Sequence, residues 1–242
     1  MKEFSEYTNL LVHAFAQHNR KQEILAKKKE IIDTICELHN FVPSNILFIG
    51  FTPLALAVEN KNITVCGASS EAVALMSGMG KNVTVIEANE LPKYSKHFDC
   101  VIAMDENFTY ASSEESQRDW VTQICDLTTD LVITTLRDYK NQEYKDREFS
   151  QPAAIRQGNN VTAYLEFHNM DFRNREKWYT TVFELGQELN SHGPFARRTM
   201  FFKQMAKYSK DAGAVDFLVH KNLMYKSLIK KNYEHVISIK FE

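Results

Sequence analysis

Ile46-Leu47-Phe48-Ile49-Gly50 is a short apolar run that ends at a glycine. An apolar run of this length, without alternating polar residues, is typical of a strand that is buried on both faces of a sheet. Helical patterns fit between this run and several similar runs, so the sequence predicts a mostly parallel α/β sheet with helices on both faces. The similar runs occupy residues 63–67, 83–86, 98–103 and 131–135.

The C-terminal part of the chain adds two strands and an insertion to this core. The apolar runs at 217–219 and 236–241 predict closing strands, which brings the expected sheet to seven strands. Residues 195–210 have the apolar spacing of a helix. Between the fifth strand and this helix we expect an insertion at about residues 140–195.

Within this insertion, residues 161–167 and 178–185 are rich in β-branched and aromatic residues and predict an antiparallel hairpin. Residues 140–160 are polar and predict irregular structure. At the other end of the chain, residues 1–41 show apolar steps of three and four and predict an N-terminal helical extension. Residues 42–242 are then one α/β domain.

The composition excludes several classes of protein. Lys and Arg total 29 and Asp and Glu total 31, a formal charge of -2 that gives no reason to expect nucleic-acid binding. The chain has no signal-peptide pattern and no run of about 18 apolar residues, so we expect a cytoplasmic protein without a membrane segment. The four cysteines form no CxxC pair, which favours buried reduced thiols and no metal site.

In open parallel sheets, ligands bind at the carboxyl ends of the strands, near the point where the strand order reverses. The stretches that follow or span these ends resemble successive motifs of class I S-adenosylmethionine-dependent methyltransferases. The resemblance covers residues 42–242 and implies a Rossmann-like fold with a mostly parallel seven-stranded sheet. The stretches are LFIGFTPL at 47–54, VCGASSEA at 65–72, EANELP at 87–92, FDCVIAMDE at 98–106 and KYSKDAGA at 207–214.

The chain departs from the family pattern at four positions that would face the cofactor. Phe48 stands where an acid commonly faces the amino group of the cofactor, and Thr52 and Leu54 replace two glycines of the first turn. Gly67 replaces the acid that normally accepts hydrogen bonds from the ribose hydroxyls. The resemblance is therefore to the fold with altered cofactor motifs.

The resemblance still implies a set of residues around S-adenosylmethionine. Glu87 is placed to accept a hydrogen bond from the adenine amine with the Ala88 amide nearby, and Asp105 would edge the methyl-transfer centre. A solvent-facing loop for Glu87 and a helix cap for Asp105 are the plainer interpretations. The implied cofactor set is Gly50, Phe51, Thr52, Gly67, Ala68, Glu87, Ala88 and Asp105.

The resemblance also implies that the insertion covers a small-molecule substrate. Arg137 and Tyr139 follow the fifth strand, where the family meets its substrate, and Trp178 of the hairpin could line the same pocket. An oxygen acceptor would require a base, for which Asp105 and His168 are the candidates. A polar loop around Arg137, a core-facing Trp178 and a structural His168 are the alternatives.

Three functions are compatible with these residues. The first is an S-adenosylmethionine-dependent methyltransferase that acts on a small molecule. The second is a methyltransferase-like fold that has lost the cofactor and serves as a binding or structural protein, in which Phe48 and Leu54 would fill the cofactor space. A nicotinamide-dependent oxidoreductase is a weaker third hypothesis, because it needs the same missing glycines and ribose acid. The methyl acceptor and the oligomeric state are not encoded in any recognisable motif.

Overall fold

The computed structural model describes most of the chain after residue 20 as an α/β structure. Several expected elements lie outside the described residues, namely the first half of the N-terminal extension and the helix that should follow Ser70. Phe51, Ala68, Asp105 and Tyr139 also lie outside them. The described residues are 21–50, 52–58, 62–67, 83–104, 107–138, 147–149, 153–157, 160–171, 176–221, 223 and 234–242.

Within these ranges, seven strands form the predicted sheet, in the order β11-β12-β5-β4-β1-β2-β3. Strands β1 to β5 run parallel, and β12 pairs antiparallel with β5 and with β11. The predicted mostly parallel sheet with a closing hairpin is therefore confirmed. Its strands are β1 (Asn45–Ile49), β2 (Asn62–Cys66), β3 (Thr84–Ile86), β4 (Phe98–Ala103), β5 (Thr128–Arg137), β11 (Asp216–His220) and β12 (Glu234–Lys240).

The apolar runs form strands because both faces of the sheet are covered. Successive side chains of a strand point to opposite faces, so Phe48 enters one hydrophobic core and Ile49 enters the other. Helix α1 (Lys21–Leu38) packs on the Phe48 side, and α2 (Glu114–Asp126) and α3 (Phe202–Asp211) supply buried side chains to the Ile49 side. Buried apolar area of this kind is the main favourable term that holds the sheet.

The two helices on the Ile49 side begin and end at recognisable residues. Ser113 caps α2, because its hydroxyl accepts a hydrogen bond from the Ser116 N–H at 3.1 Å. Helix α3 ends before Gly213, which has a φ of +95°. The prediction of a helix from residue 195 is wrong at its start, because residues 195–198 belong to a strand. In that strand Phe195 and Arg197 alternate towards a buried face, a period of two rather than 3.6.

The insertion between β5 and α3 forms a second sheet. The predicted hairpin is confirmed as β8 paired antiparallel with β9, and β10 extends it on the far side of β9. Strands β6 and β7 both pair with β8, so the prediction of irregular structure is wrong for their residues. Their polar sequence gives little strand signal because pairing with β8, rather than local propensity, makes them strands. The five strands are β6 (Arg147–Phe149), β7 (Ala153–Gln157), β8 (Asn160–Met170), β9 (Lys177–Leu185) and β10 (Leu189–Arg198).

The cysteines and helices of the described residues show two further properties. All four cysteines are buried and free, and burial raises the pKa of the Cys66 thiol to about 12 and that of Cys36 to about 11. Such thiols are protonated at neutral pH and are poor nucleophiles. None of the helices that the structure describes is long and apolar enough to cross a lipid bilayer.

Candidate functional site

The strand order reverses between β1 and β4. From β1 the chain proceeds outward through β2 and β3, and then returns to β4 and β5 on the other side. The two central strands pair in parallel, with Phe48 opposite Ile102, so their carboxyl ends lie side by side. This is the point at which open α/β sheets bind ligands. We refer to it as the switch point.

Gly50 ends β1 at the switch point and accepts no other residue. Its φ is +90°, a conformation that side chains with a Cβ rarely adopt. A Cβ at this position would also lie 2.5 Å from Nδ2 of Asn107, well inside van der Waals contact. The glycine that the sequence places here is therefore required by its backbone conformation and by the neighbouring amide.

Asn107 bridges the carboxyl ends of the two central strands. It follows β4 in a short 3-10 helix, Asn107–Thr109, and its side chain is 1% exposed. Its Nδ2 donates to the carbonyl oxygen of Ile49 at 3.0 Å and to the carbonyl oxygen of Met104. Because both partners are acceptors, the orientation of the amide is fixed. Its Oδ1 is buried and has no hydrogen-bond partner among the residues that the structure describes.

Asn107 was missed by the sequence reasoning, although it lies four residues after the fourth predicted strand. The sequence offered one weak sign of this residue, namely that a polar amide precedes Phe108 in the segment that follows a buried strand. The segment Asn107–Thr109 is held from outside as well, because Nε1 of Trp120 donates to the carbonyl oxygen of Asn107 at 3.3 Å. Nε2 of Gln117 donates to the carbonyl oxygen of Phe108 at 3.1 Å. Helix α2 thus fixes the loop that carries the Asn107 amide.

Two other predicted cofactor positions, Gly67 and Thr52, follow the ends of β2 and β1. Gly67 ends β2 with a φ of +76° and is buried. Thr52 begins the 3-10 helix Thr52–Ala57, in which Leu54 is 1% exposed. Phe48 and Leu54 both belong to the core on the α1 side, with Ile35 and Val65 among their companions. The two bulky residues at altered motif positions are thus core residues.

Glu87 and Ala88 follow β3. Glu87 is exposed and Ala88 is half-buried against the core on the Ile49 side. The nearby carboxylate of Glu90 accepts the Glu87 N–H at 3.0 Å and lies 3.2 Å from Nζ of Lys93. The backbone hydrogen bond and then Lys93 lower the pKa of Glu90. Of the two acids in this stretch, Glu90 serves the local turn, and the carboxylate of Glu87 is exposed at the end of β3.

In the inserted sheet, Trp178 lies against an arginine. The guanidinium carbon of Arg197 is 4.0 Å from the centroid of the Trp178 ring and 4.4 Å from that of Tyr110. Nε and Nη2 of Arg197 donate to Oγ1 of Thr109 at 2.9 and 2.8 Å. Arg197 is 4% exposed, so this contact is a desolvated cation between two aromatic rings. It joins the inserted sheet to the segment after β4.

His168 lies on the same face of the inserted sheet as Trp178. Its ring centroid is 5.5 Å from that of Trp178, and its Nδ1 lies 3.0 Å from Oγ1 of Thr180. Its Nε2 lies 3.4 Å from Oε2 of Glu166, and the His168 side chain is 19% exposed. Tyr110, Arg197, Trp178 and His168 form a continuous row from the loop after β4 into the insertion. The structure therefore brings together Trp178 and His168, two of the predicted residues.

Arg137 lies at the end of β5 and is half-buried, with Glu234 of β12 as its register partner. Among the described residues, no group of three or more His, Cys, Asp or Glu could hold a metal ion. The arrangement offers backbone and amide groups at the ends of β1 and β2 and a carboxylate at the end of β3. A row of aromatic, basic and imidazole side chains runs from the loop after β4 into the inserted sheet.

No family model and no curated protein sequence matches the chain. Solved structures do match its fold over most of its length. DesVI of Streptomyces venezuelae has a TM-score of 0.69 and 10% identity, over 93% of this chain and 94% of that chain. The sugar N-methyltransferase KedS8 of Streptoalloteichus sp ATCC 53650 has a TM-score of 0.67 and 11% identity, over 90% of this chain and 87% of that chain.

A third match is an S-adenosylmethionine-dependent methyltransferase of Clostridium acetobutylicum ATCC 824. It has a TM-score of 0.65 and 12% identity, over 89% of this chain and 91% of that chain. The matches extend across both the seven-stranded sheet and most of the remaining chain, so they include more than a shared nucleotide-binding core. At these identities a match establishes the architecture, and the chemistry has to be argued from the residues of the site. The chain has the class I methyltransferase fold.

Proposed function

We propose that this protein binds S-adenosylmethionine at the carboxyl ends of β1 to β4 and transfers its methyl group to a small molecule. The observation that carries the proposal is the exposed carboxylate of Glu87, which follows β3 at the same end of the sheet as the positive-φ glycines Gly50 and Gly67. S-Adenosylmethionine is an elongated molecule with hydrogen-bond donors at both ends. Two of the structurally similar proteins, from Clostridium and Streptoalloteichus, are methyltransferases by name.

The described residues at the crevice fit this cofactor. Gly50 and Gly67 end β1 and β2 with positive φ values, so both strands close in tight turns at the proposed cofactor site. The carboxylate of Glu87 is available to accept from the adenine amine. The bound cofactor would supply an electrophilic methyl group on a sulfonium. The proposed cofactor-binding set is Gly50, Phe51, Thr52, Gly67, Ala68, Glu87, Ala88 and Asp105.

The inserted sheet would cover the methyl acceptor. A cover excludes water and holds the acceptor in line with the reacting carbon, which supplies much of the rate in such displacements. Trp178 is buried against the Arg197 guanidinium and presents an aromatic wall. We propose Arg137, Tyr139 and Trp178 as the substrate-binding residues.

A base is needed only if the acceptor is a hydroxyl. His168 would then take the proton, because Oε2 of Glu166 lies 3.4 Å from its Nε2 and can stabilise the imidazolium that forms. Asp105 is the other candidate base. For an amine acceptor, an unprotonated nitrogen and correct positioning suffice. A panel of amine and hydroxyl acceptors, assayed with the wild type and with His168→Asn, distinguishes these cases.

Calorimetric titration with S-adenosylmethionine and S-adenosylhomocysteine tests the cofactor. We expect binding of both, and Glu87→Ala should weaken it by about 10-fold, the effect of one lost hydrogen bond to a charged group. Glu90→Ala is the matched control, because that carboxylate serves the turn and should leave the affinity unchanged. Absence of heat at millimolar cofactor would refute the proposal.

The second candidate function is a binding or structural protein with this fold. The observation in its favour is that Phe48, at the position of the usual acid, is 1% exposed and packed in the core. It predicts no heat with either nucleoside ligand. The four buried free thiols favour a reducing compartment, so we propose the cytoplasm. The division into an extension at 1–41 and a domain at 42–242 with an insertion at about 140–195 is proposed as well.

A further inference from the structure

We propose that the outer face of the inserted sheet pairs with the same face of a second copy of this chain. The outer face is defined by the side chains of Leu165 on β8, Tyr179, Phe183 and Leu185 on β9, and Leu189 on β10. Directly opposite residues of antiparallel strands point to the same side of a sheet, and the register pairs Leu165 with Phe183 and Leu185 with Leu189. This inference is independent of the proposed function.

The opposite face of the inserted sheet is turned to the rest of the protein. Trp178, Thr180 and Val182 alternate with the outer-face residues along β9, and all three are buried. The Arg197 guanidinium, which lies against the Trp178 ring, donates to Oγ1 of Thr109 in the segment after β4. The outer face therefore points away from this segment.

The polar residues are distributed between the two faces in the reverse of the usual way. An antiparallel sheet with one solvated face normally carries its polar residues on that side. Here Glu166, His168 and Glu184 lie on the face that carries Trp178, and the outer face carries leucine and aromatic side chains. Leu185 is 41% exposed and Leu189 is 66% exposed. A contiguous apolar surface of this kind marks an interaction site.

The absence of charge on the outer face favours a second copy as the occupant. In a two-fold dimer the same patch lies on both sides of the interface, so a charged residue near its centre would face its own kind. Among the described residues, the side chains that point to this face within 163–169, 179–185 and 189–191 carry no charge at neutral pH. A partner recognised through opposite charge would find no counterpart there.

The outer face also combines large and small side chains in a way that suits packing against itself. Two rows of directly opposite residues cross the three strands, and each row holds two large side chains and one small one. The small residue lies on β8 in the first row and on β10 in the second. Projections of one copy can therefore enter hollows of the other, as in sheets that pack about 10 Å apart. The rows are Ala163-Leu185-Leu189 and Leu165-Phe183-Ser191.

The inserted sheet is large enough for a stable dimer. Strand β8 has 11 residues, which at about 3.4 Å per residue gives a length of about 37 Å. Strands β10, β9 and β8 are followed by β6 and β7, which pair with successive parts of β8, so the sheet is about 19 Å wide at about 4.8 Å per strand. The face then covers roughly 700 Å², close to the roughly 800 Å² per partner of a standard specific interface.

Sedimentation velocity of the full chain tests the pairing. We expect the wild type to sediment as a dimer, twice the chain mass of 28.0 kDa, at about 10 μM. The double variant Leu185→Lys, Leu189→Lys and the corresponding Glu variant place like charges on facing patches and should each raise the dimer Kd by about 100-fold. An equimolar mixture of the Lys and Glu variants should regain the dimer, because opposite charges then face each other.

Leu218→Lys is the matched control. Leu218 is also an exposed strand leucine, at 40%, but it lies on β11 at the edge of the large sheet, so its replacement should leave the dimer intact. Circular dichroism checks the fold of each variant. If a double variant does not fold, Ser191→Lys or Ser191→Glu replaces it, because Ser191 is exposed on the same face.

The outcomes decide the proposal. A wild type that stays monomeric at about 100 μM overturns it, and the outer face would then belong to a partner of another sequence. A dimer that both charged variants retain, or that Leu218→Lys loses as readily, overturns it because the interface lies elsewhere. A mixture of the oppositely charged variants that stays monomeric overturns the pairing of like faces.

Discussion

The two sheets of this protein are stabilised in different ways. In the seven-stranded sheet, β1, β2 and β4 bury nearly every residue, and apolar cores cover both faces. In the inserted sheet, β9 alternates between buried and half-buried residues, and the first part of β10 is mostly exposed. Burial holds the first sheet through many small contacts, and a few specific contacts join the second sheet to it.

The face of the inserted sheet that carries Trp178 is also chemically different. His168 lies beside Glu166 on this face, and His192 lies 3.5 Å from Glu184. Arrays of paired polar side chains contribute little to stability and are expensive to bury unless a ligand uses them. The comparison shows that the seven-stranded sheet carries most of the buried core, whereas the inserted sheet is half-exposed and carries more polar pairs. Substitutions can test both halves of that statement.

The largest effect is expected at the junction of the two sheets. Arg197→Met removes two cation–π contacts and the hydrogen bonds to Thr109, and should lower the free energy of unfolding by about 3 kcal/mol. Urea unfolding followed by circular dichroism and tryptophan fluorescence measures it.

The adjacent residue provides the control for this prediction. Arg198 pairs with Glu176 and Glu114, whose side chains are 49% and 61% exposed. Arg198→Met should therefore cost about 1 kcal/mol, because pairs with exposed carboxylates are weak. Equal losses for the two variants would show that the junction depends on general packing of β10 and would remove the special role of Arg197.

A smaller effect is expected within the seven-stranded sheet, at the turn that closes β1. Gly50 and Gly213 have similar φ values of +90° and +95°, but a Cβ on Gly213 has no atom within 4 Å. Gly213→Ala should cost about 1 kcal/mol from backbone strain alone. Gly50→Ala adds the contact with Asn107 and should cost about 2 kcal/mol. Thermal denaturation of the two variants measures the difference. Equal losses in the unfolding midpoint would mean that the Asn107 side chain moves away from the added Cβ at little cost.

The same contrast explains what could be predicted from the sequence. The strands of the large sheet are buried on both faces, so each is an apolar run that a sequence displays directly. Strands β6 and β7 have no such signal, since β8 supplies their pairing. The start of α3 was misplaced because the helical spacing of Met200, Met205 and Tyr208 was extended back over Phe195 and Arg197, which are two residues apart, as in a strand. Local sequence predicts a strand well when the strand is buried on both faces, and poorly when pairing with a neighbouring strand determines the structure.

The site was only partly predictable for a related reason. Gly50 and Gly67 carry their signal in residue type, because a positive φ favours glycine. The unsatisfied oxygen of Asn107 is a property of three strand-end groups that meet in space, and no pattern in residues 105–109 announces it. Arg197 was visible as a base, but its aromatic neighbours Tyr110 and Trp178 come from different parts of the chain.

The smallest effect is expected at a polar cluster on the α1 face of the large sheet. Oγ of Ser238, on β12, lies 2.9 Å from Nε2 of His39 and 2.8 Å from Nε2 of His220. Ser238 is 1% exposed, and its single proton can serve only one imidazole while the other donates to its oxygen. The imidazole that accepts the Ser238 proton is therefore neutral in this arrangement.

Desolvation lowers the pKa of both imidazoles. Lys240 lowers the pKa of His39 further and Asp216 opposes it, while His39 lowers the pKa of His220. Because the folded-state pKa values lie below the unfolded value of about 6.5, the unfolded chain binds more protons in acid. The stabilisation is complete above about pH 6.5 and is lost as the pH falls through the folded-state pKa values.

Urea unfolding at pH 7.5 and pH 5.5 should therefore show a lower free energy of unfolding at the acidic value. The double variant His39→Gln, His220→Gln should reduce that dependence, and the remainder includes His235, whose pKa burial also lowers. Thr34→Ala on α1 is the control, because Thr34 carries no titrating group and its hydroxyl donates only to the carbonyl oxygen of Glu30, so the wild-type slope should be preserved. If the double variant kept the full pH dependence, the cluster would be an ordinary part of the scaffold. The polar groups of the large sheet would then contribute no pH dependence of their own.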